Sequence, residues 1–224
     1  MMRAMRSQRS PVRRASLVSL LALGLSLAVR VHAAMAQGAG SPPLWSMQVH
    51  GGMFAPIGGN GASPMVGVRY CKHYTPQFYG GVLTAWSMKS SSLEQPAADP
   101  ADPRVELARV NAQLVPVMGF IQVRLTNRLV VPILGIGAGY EWLKFDVVDH
   151  RTGVESHPTY GNWSWETWGG LAIRLNNIWR LNGEVYYNGG SLERHFNDAS
   201  GRDQIEVVHM NGVGVRIGPD MDFW

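Results

Sequence analysis

The sequence has 224 residues, of which 46% are hydrophobic and 16% charged, and this length and composition suit one domain without a linker. Its formal net charge of +4 originates in residues 1–36, which hold six of the 20 basic side chains and none of the 16 acidic ones. The rest of the chain carries about −2, which excludes the basic surface that nucleic-acid binding requires, and the single cysteine, Cys71, excludes an internal disulfide.

Residues 1–36 have the pattern of a secretory signal peptide. A basic region without acids precedes an apolar stretch of 13 residues from Leu17 to Val29, and Ala34-Met35-Ala36 follows as a small-x-small cleavage site. The apolar stretch is well short of the ~20 residues that a membrane-spanning helix needs. The pattern therefore predicts export, cleavage after residue 36, and one mature domain over residues 37–224.

Along the mature chain, eight stretches alternate between apolar and polar residues with period two, and turn residues separate them. No stretch keeps the 3.6-residue spacing of an amphipathic helix. The pattern predicts an all-β protein with strands at 44–56, 64–74, 78–88, 106–125, 129–148, 160–175, 178–190 and 205–217.

One face of each predicted strand is aliphatic, and its aromatic residues lie near the strand ends. This is the two-girdle arrangement of strands that cross a bilayer, and a soluble barrel of the lipocalin kind has no reason to sort its rings in this way. The predicted girdles comprise Trp45, Tyr74 and Trp179 at one end, and Trp86, Tyr140, Trp142, Trp163, Trp165 and Tyr187 at the other.

Short and long connections alternate between the predicted strands. Turns of two or three residues follow the second, fourth and sixth strands, whereas the stretches 89–104, 149–159 and 191–204 are longer. Outer-membrane barrels pair short periplasmic turns with longer external loops, and their closure leaves no unpaired backbone groups in lipid. We therefore predict an eight-stranded antiparallel up-and-down transmembrane β-barrel with both chain ends on the periplasmic side.

Glycine-rich strands such as 131–140, together with the export signal and the alternation, carry a resemblance to a known family. The mature chain resembles the small eight-stranded outer-membrane β-barrels, the group that contains the transmembrane part of outer membrane protein A. The resemblance implies the outer membrane of a Gram-negative bacterium, contact with lipid and lipopolysaccharide, and insertion by the outer-membrane assembly machinery. In that group the last strand ends on an aromatic residue, whereas here residues 218–222 separate the predicted strand from Phe223-Trp224.

The polar faces of the strands place charged residues inside the predicted barrel, whose lumen is only wide enough for its own side chains. We interpret these residues as a structural ion network that fills the lumen. An alternative is a narrow channel, which five arginines against three glutamates would make selective for anions. A plug formed by Asp220, Asp222 and the terminal carboxylate is a further hypothesis. The predicted lumen residues are Arg69, Arg124, Glu141, Glu166, Arg174, Arg180, Glu184 and Arg216, with four of the arginines (124, 174, 180 and 216) near the periplasmic end.

Two kinds of chemistry have candidates in the external loops but no supporting pattern. Some barrels of this size hydrolyse lipid acyl chains, but their His-x-Ser-Asn signature is absent here. No metal-ligand spacing connects the histidines, and His50 is interpreted as a lumen residue. The candidates are Ser191, Glu193, His195, Asp198 and Ser200 for hydrolysis, and His150, His157 and His195 for a metal.

The sequence thus predicts a monomeric outer-membrane barrel with a structural or surface-interaction role, without catalytic activity, cofactor or nucleic-acid partner. Three alternatives remain open, namely the narrow channel, a lipid-modifying hydrolase, and an exported soluble binder of the lipocalin kind.

Overall fold

The computed structural model describes residues 45–59, 61–95, 105–126, 128–198 and 200–223, and the predicted signal peptide lies outside these residues. This part of the chain contains no helix long and apolar enough to cross a membrane. The strands are β1 (Trp45–Pro56), β2 (Ser63–His73), β3 (Phe78–Gln95), β4 (Val105–Arg124), β5 (Val130–Asp149), β6 (Val154–Ser156), β7 (Thr159–Arg174), β8 (Trp179–Asn197), β9 (Asp203–His209) and β10 (Gly212–Phe223).

Eight of these strands close into one antiparallel barrel. Each pairs with its neighbour in the order β1, β2, β3, β4, β5, β7, β8 and β10, and β10 pairs with both β8 and β1. Two short strands lie outside this ring, with β6 paired to the end of β5 and β9 to the end of β8. The prediction of an eight-stranded up-and-down barrel is confirmed.

The two ends of the barrel differ in the length of their connections. At one end, which we call the turn end, short connections join β2 to β3, β4 to β5 and β7 to β8. In the last of these, Asn176 Oδ1 accepts hydrogen bonds from the N–H groups of Ile178 and Trp179, both at 2.8 Å. At the opposite end, which we call the loop end, β3 and β8 extend past their predicted ends to residues 95 and 197.

Two of the predicted long loops are wrong in part, because strands extend into them. β3 continues from residue 88 to 95 and β8 from residue 190 to 197, where polar residues such as Ser90, Ser91 and Ser92 pair with β4. A two-stranded ribbon beyond the barrel has no face in lipid, so its sequence need not alternate. Residues 96–104 of the first loop lie outside the described residues.

The predicted last strand, 205–217, is also wrong in part. It is interrupted at residues 210–211, and β10 then continues through Gly218 and Pro219 to Phe223. Pro219 has no N–H, but it faces outward at a point where the pairing with β1 lapses between Asp220 and Ile217. The last strand therefore ends on an aromatic residue, Phe223, as the last strand does in the family that the sequence resembles.

The turn between β8 and β9 is held by the carboxylate of Asp198. Its Oδ1 accepts hydrogen bonds from the Ser200 hydroxyl at 2.6 Å and from the N–H groups of Ser200 at 2.8 Å and Arg202 at 3.0 Å. These bonds, the Ser200 hydroxyl first, lower the pKa of Asp198 from its ordinary 3.8 to about 2.

Because the folded pKa of Asp198 lies below its unfolded value, these bonds stabilise the turn above pH 3.8 and are lost as the pH falls through about 2. We expect the carboxyl ¹³C signal of Asp198 to titrate with a midpoint near 2 and the Ser200→Ala variant to raise that midpoint. An unchanged midpoint in the variant would show that the hydroxyl does not hold the carboxylate.

The side chains of the barrel strands sort by polarity between outside and inside. The outward positions are exposed and apolar, as a lipid-facing surface requires, and they include Val66, Val68, Val82, Ile121, Ile136, Leu171, Val185, Val215 and Ile217. The inward positions are buried and mostly polar in the turn-end half, whereas rings and aliphatic groups fill the loop-end half.

Candidate functional site

Midway along the barrel, four ionised side chains meet across the lumen, and we call them the central cluster (Arg69, Glu166, Glu184 and Arg216). Arg69 on β2 holds Glu184 on β8 with two parallel hydrogen bonds, Nη1 to Oε1 at 2.8 Å and Nη2 to Oε2 at 3.0 Å. Arg216 on β10 donates to Glu184 and to Glu166 on β7, both at 2.6 Å. Such paired, charge-assisted bonds are the strong class of protein hydrogen bond.

Polar and aromatic side chains complete the surroundings of Arg69. Its Nη1 also donates to Gln48 Oε1 at 3.0 Å and Gln122 Oε1 at 3.1 Å, and Gln122 accepts a further bond from the Trp168 indole at 2.9 Å. The guanidinium lies 4.7 Å from the Trp168 ring centre and 5.1 Å from that of Phe120, within cation–π range. Side chains from four other strands, β1, β4, β7 and β8, therefore hold one buried arginine of β2.

A second group of charges closes the turn end, and we call it the turn-end cluster (Arg124, Arg180, Asp220 and Asp222). Arg124 Nη2 donates to Asp220 Oδ2 at 3.2 Å, and Arg180 Nη1 donates to Asp222 Oδ1 at 2.6 Å while its Nη2 faces Oδ2. The Arg124 guanidinium also stacks 4.1 Å from the ring centre of Tyr79.

The turn-end cluster corrects the plug hypothesis. Asp220 and Asp222 are not a tail folded onto the barrel, because both point inward from β10 and pair with arginines of β4 and β8. The terminal carboxylate lies outside the described residues. The two aspartates were misassigned because Gly218-Pro219 resembles the end of a strand.

The two clusters also remove the basis for anion selectivity. Arg216 lies in the central cluster and not near the periplasmic end, and Arg174 is half-buried without an ion pair to any described side chain. Within the described interior, four buried arginines face five buried carboxylates: Arg69, Arg124, Arg180 and Arg216 against Glu141, Glu166, Glu184, Asp220 and Asp222. The lumen therefore carries no excess of positive charge.

Beyond the central cluster, the interior changes to apolar side chains. An open cavity of about 340 Å³, which we call the vestibule, lies at the loop end and is bounded by Phe54, Leu114, Leu143, Phe145 and Met210 among others. Glu141, the remaining predicted lumen acid, lies between the vestibule and the central cluster and is 1% exposed. His50 is fully buried in the lumen, as predicted, but neither of its ring nitrogens hydrogen-bonds to a described residue.

The predicted girdle residues lie on the outer surface at the two barrel ends, where most are exposed and Trp45, Tyr140 and Tyr187 are half-buried. At the loop end, the ring centres of Tyr140 and Trp142 are 4.9 Å apart and those of Trp165 and Tyr187 are 5.6 Å apart. At the turn end, Trp45 stacks on Tyr70 at 5.2 Å. Tyr70 was missed, although its position next to the inward Arg69 already placed it outside.

The hydrolase candidates are not assembled into a catalytic group. Ser191 Oγ lies 2.9 Å from Nδ1 of His209, not of His195, and no described carboxylate hydrogen-bonds to His209. Ser200 and Asp198 bond each other within the β8–β9 turn. A hydrolytic triad needs a third group to orient its base, and this arrangement does not supply one among the described residues.

Within the described residues, the external histidines are not gathered into a metal site. His157 Nδ1 lies 2.9 Å from Asp146 Oδ1, and the described residues hold no group of three or more histidine, cysteine, aspartate or glutamate side chains able to bind a metal ion.

No protein-family model and no curated protein matches this sequence. Solved structures with the same fold include the outer membrane protein OprG from Pseudomonas aeruginosa, with a TM-score of 0.56 and 14% identity over 81% of this chain and 96% of that one. Neisserial surface protein A has a TM-score of 0.51 and 11% identity, with 80% of this chain and 97% of that one covered.

At such low identity these likenesses show the fold alone. The shared fold is the small eight-stranded barrel of outer-membrane proteins, so the resemblance drawn from the sequence is confirmed at the level of fold.

Proposed function

We propose that this protein is an integral outer-membrane barrel whose lumen is closed, and that its role is structural or surface-interactive. The observation that carries the proposal is the pair of charge clusters that cross the interior at two levels. Each cluster joins two arginines to two carboxylates, so neither leaves a charge free to attract a permeating ion.

Ion conduction would require these pairs to open. In a narrow interior, an arginine separated from its carboxylate is a buried unpaired charge, which is far less favourable than the pair. The loop-end ribbons formed by β3, β4, β8 and β9 extend beyond the barrel and offer the surface for contact with lipopolysaccharide or other partners. The barrel is proposed to act as a monomer inserted by the outer-membrane assembly machinery.

The proposal predicts that purified protein will not conduct. We expect heat-modifiable migration on a gel, the sign of a folded barrel, together with no steady current in a planar bilayer. A double variant of the turn-end cluster, Arg180→Ala with Asp222→Ala, serves as the comparison. Because the central cluster still closes the lumen, this variant should also remain silent.

Reproducible single-channel steps in the unaltered protein would contradict the closed lumen and favour the channel alternative. Steps that appear only in a variant with both charge clusters truncated would support the closed lumen, because the clusters would then be what blocks the current. Extraction of the protein into buffer without detergent would contradict membrane insertion itself.

A further inference from the structure

The loop-end half of the interior contains two adjacent spaces of different character. The vestibule of about 340 Å³ is lined by apolar groups, including Phe54, Leu114, Leu143, Phe145 and Met210. Below it lies a second space of about 20 Å³, which we call the lower pocket. The two share Phe54, Ser87 and Leu114 as lining residues, so the lower pocket lies directly against the vestibule.

The lower pocket is acidic and has room for one water-sized group. A volume of ~10–15 Å³ accommodates a single water, and this pocket slightly exceeds it. Two carboxylates, Glu141 and Glu166, line it together with Asn188 and the rings of Phe54 and Tyr186. Glu166 is already paired with Arg216, so Glu141 is the acid that gives the pocket its character.

Glu141 differs from the other buried acids in lacking a positive partner. Glu166, Glu184, Asp220 and Asp222 each contact an arginine. The Glu141 carboxylate, by contrast, receives a hydrogen bond from Asn188 Nδ2 at 3.3 Å and forms no ion pair with a described residue. A buried carboxylate without a counter-charge is unfavourable, and a positive group at the lower pocket would supply the counter-charge that Glu141 lacks.

We propose that the vestibule and the lower pocket bind a small apolar molecule with a primary ammonium group. The apolar body fills the vestibule, and the ammonium, which is about the size of water, enters the lower pocket. There its N–H groups donate to Glu141, beside the rings of Phe54 and Tyr186 that line the pocket.

The size of the lower pocket makes the proposal selective for the head group. A trimethylated ammonium is too large for a space of about 20 Å³, and a neutral hydroxyl lacks the charge that Glu141 needs. The rim of the vestibule carries Lys89, whose Nζ donates to Gly61 O at 2.9 Å. An anionic ligand that used Lys89 in place of Glu141 is therefore the competing outcome.

The test uses the full mature chain in lipid nanodiscs and isothermal titration calorimetry, with empty nanodiscs to subtract partition into lipid. Four probes share one phenyl body: 2-phenylethylamine, its N,N,N-trimethyl analogue, 2-phenylethanol and 3-phenylpropionate. We expect the primary amine to bind at least tenfold more tightly than each of the other three. Equal binding of the alcohol, or tighter binding of the carboxylate, would overturn the proposal.

Two variants locate the site. Glu141→Gln keeps the size of the side chain and removes its charge, so affinity for 2-phenylethylamine should fall at least tenfold, whereas Glu155→Gln on exposed β6 should leave it unchanged. Ala112→Phe, which fills the vestibule, should reduce binding without altering Glu141. Heat-modifiable migration verifies that each variant is folded.

Unchanged affinity in both folded site variants would place any bound amine elsewhere and overturn the assignment. Because conductance is measured separately, failure of amine binding leaves the closed-lumen proposal untouched, and a conducting protein could still bind the amine.

Discussion

The variant Glu184→Gln is expected to destabilise the barrel by about 3–5 kcal/mol, the usual effect of removing one partner of a buried ion pair. Glu184 accepts hydrogen bonds from both Arg69 and Arg216. Without the charge of Glu184, one carboxylate, Glu166, remains in the central cluster. Glu166 contacts Arg216 but not Arg69, so Arg69 is left without an ion pair to any described side chain. The free energy of unfolding by urea in lipid vesicles measures the change.

The control for this prediction is Glu206→Gln in the ribbon beyond the barrel. Glu206 faces Arg194 at 3.9 Å, and both side chains are substantially exposed. Exposed pairs contribute about 0–1 kcal/mol, so this variant should unfold nearly like the unaltered protein. Equal unfolding free energies for Glu184→Gln and Glu206→Gln would show that the central cluster is not what stabilises the interior.

A double variant separates lost pairing from lost packing. Replacing Arg69 by Met together with Glu184→Gln removes one positive and one negative charge, and leaves the Arg216–Glu166 pair neutral. We expect the double variant to be less destabilised than the sum of the two single variants. Each single variant leaves one buried charge without its partner, whereas the double variant removes both charges of the pair. Additive losses would instead indicate that the two residues act independently.

The inward charges of the central cluster could be predicted from the sequence because side chains of a barrel strand alternate strictly between the two faces. Arg69, Glu184 and Arg216 each occupy a polar position in the alternation of their own strand, which predicts that each points inward. Alternation also placed the girdle residues outside. These features depend only on local spacing, which one sequence contains in full.

The partners within the lumen could not be predicted, because they depend on the register between strands far apart in the chain. Arg69 and Glu184 are 115 positions apart, and nothing in either strand specifies the other. Asp220 and Asp222 were assigned to a plug outside the last strand for a different reason. Gly218 and Pro219 ordinarily end strands, and only the lapse in pairing with β1 lets this strand continue past them.

The vestibule was unpredictable for a third reason. Leu114 and Leu143 face inward at the loop end, where the polar rule for the lumen no longer holds. Sequence alternation distinguishes two faces but does not reveal that the interior changes from ionic to apolar along the barrel axis.

The variant Ile217→Arg tests whether the outer surface faces lipid. Ile217 is 57% exposed, lies on β10 and pairs with Gly183 and Gly51 about midway between the two girdles. An arginine at the bilayer midplane of a barrel costs about 2–4 kcal/mol. We expect the free energy of unfolding in lipid vesicles to fall by that amount.

The matched control is Leu93→Arg, since Leu93 is 63% exposed on β3, seven positions beyond the girdle residue Trp86. At that height water replaces hydrocarbon, so an arginine there should change the unfolding free energy little. A large loss at 217 with little loss at 93 requires an apolar medium around the middle of the barrel and water around its loop end. Small effects at both positions would mean that water surrounds the whole barrel, as in the soluble binder that the sequence left open.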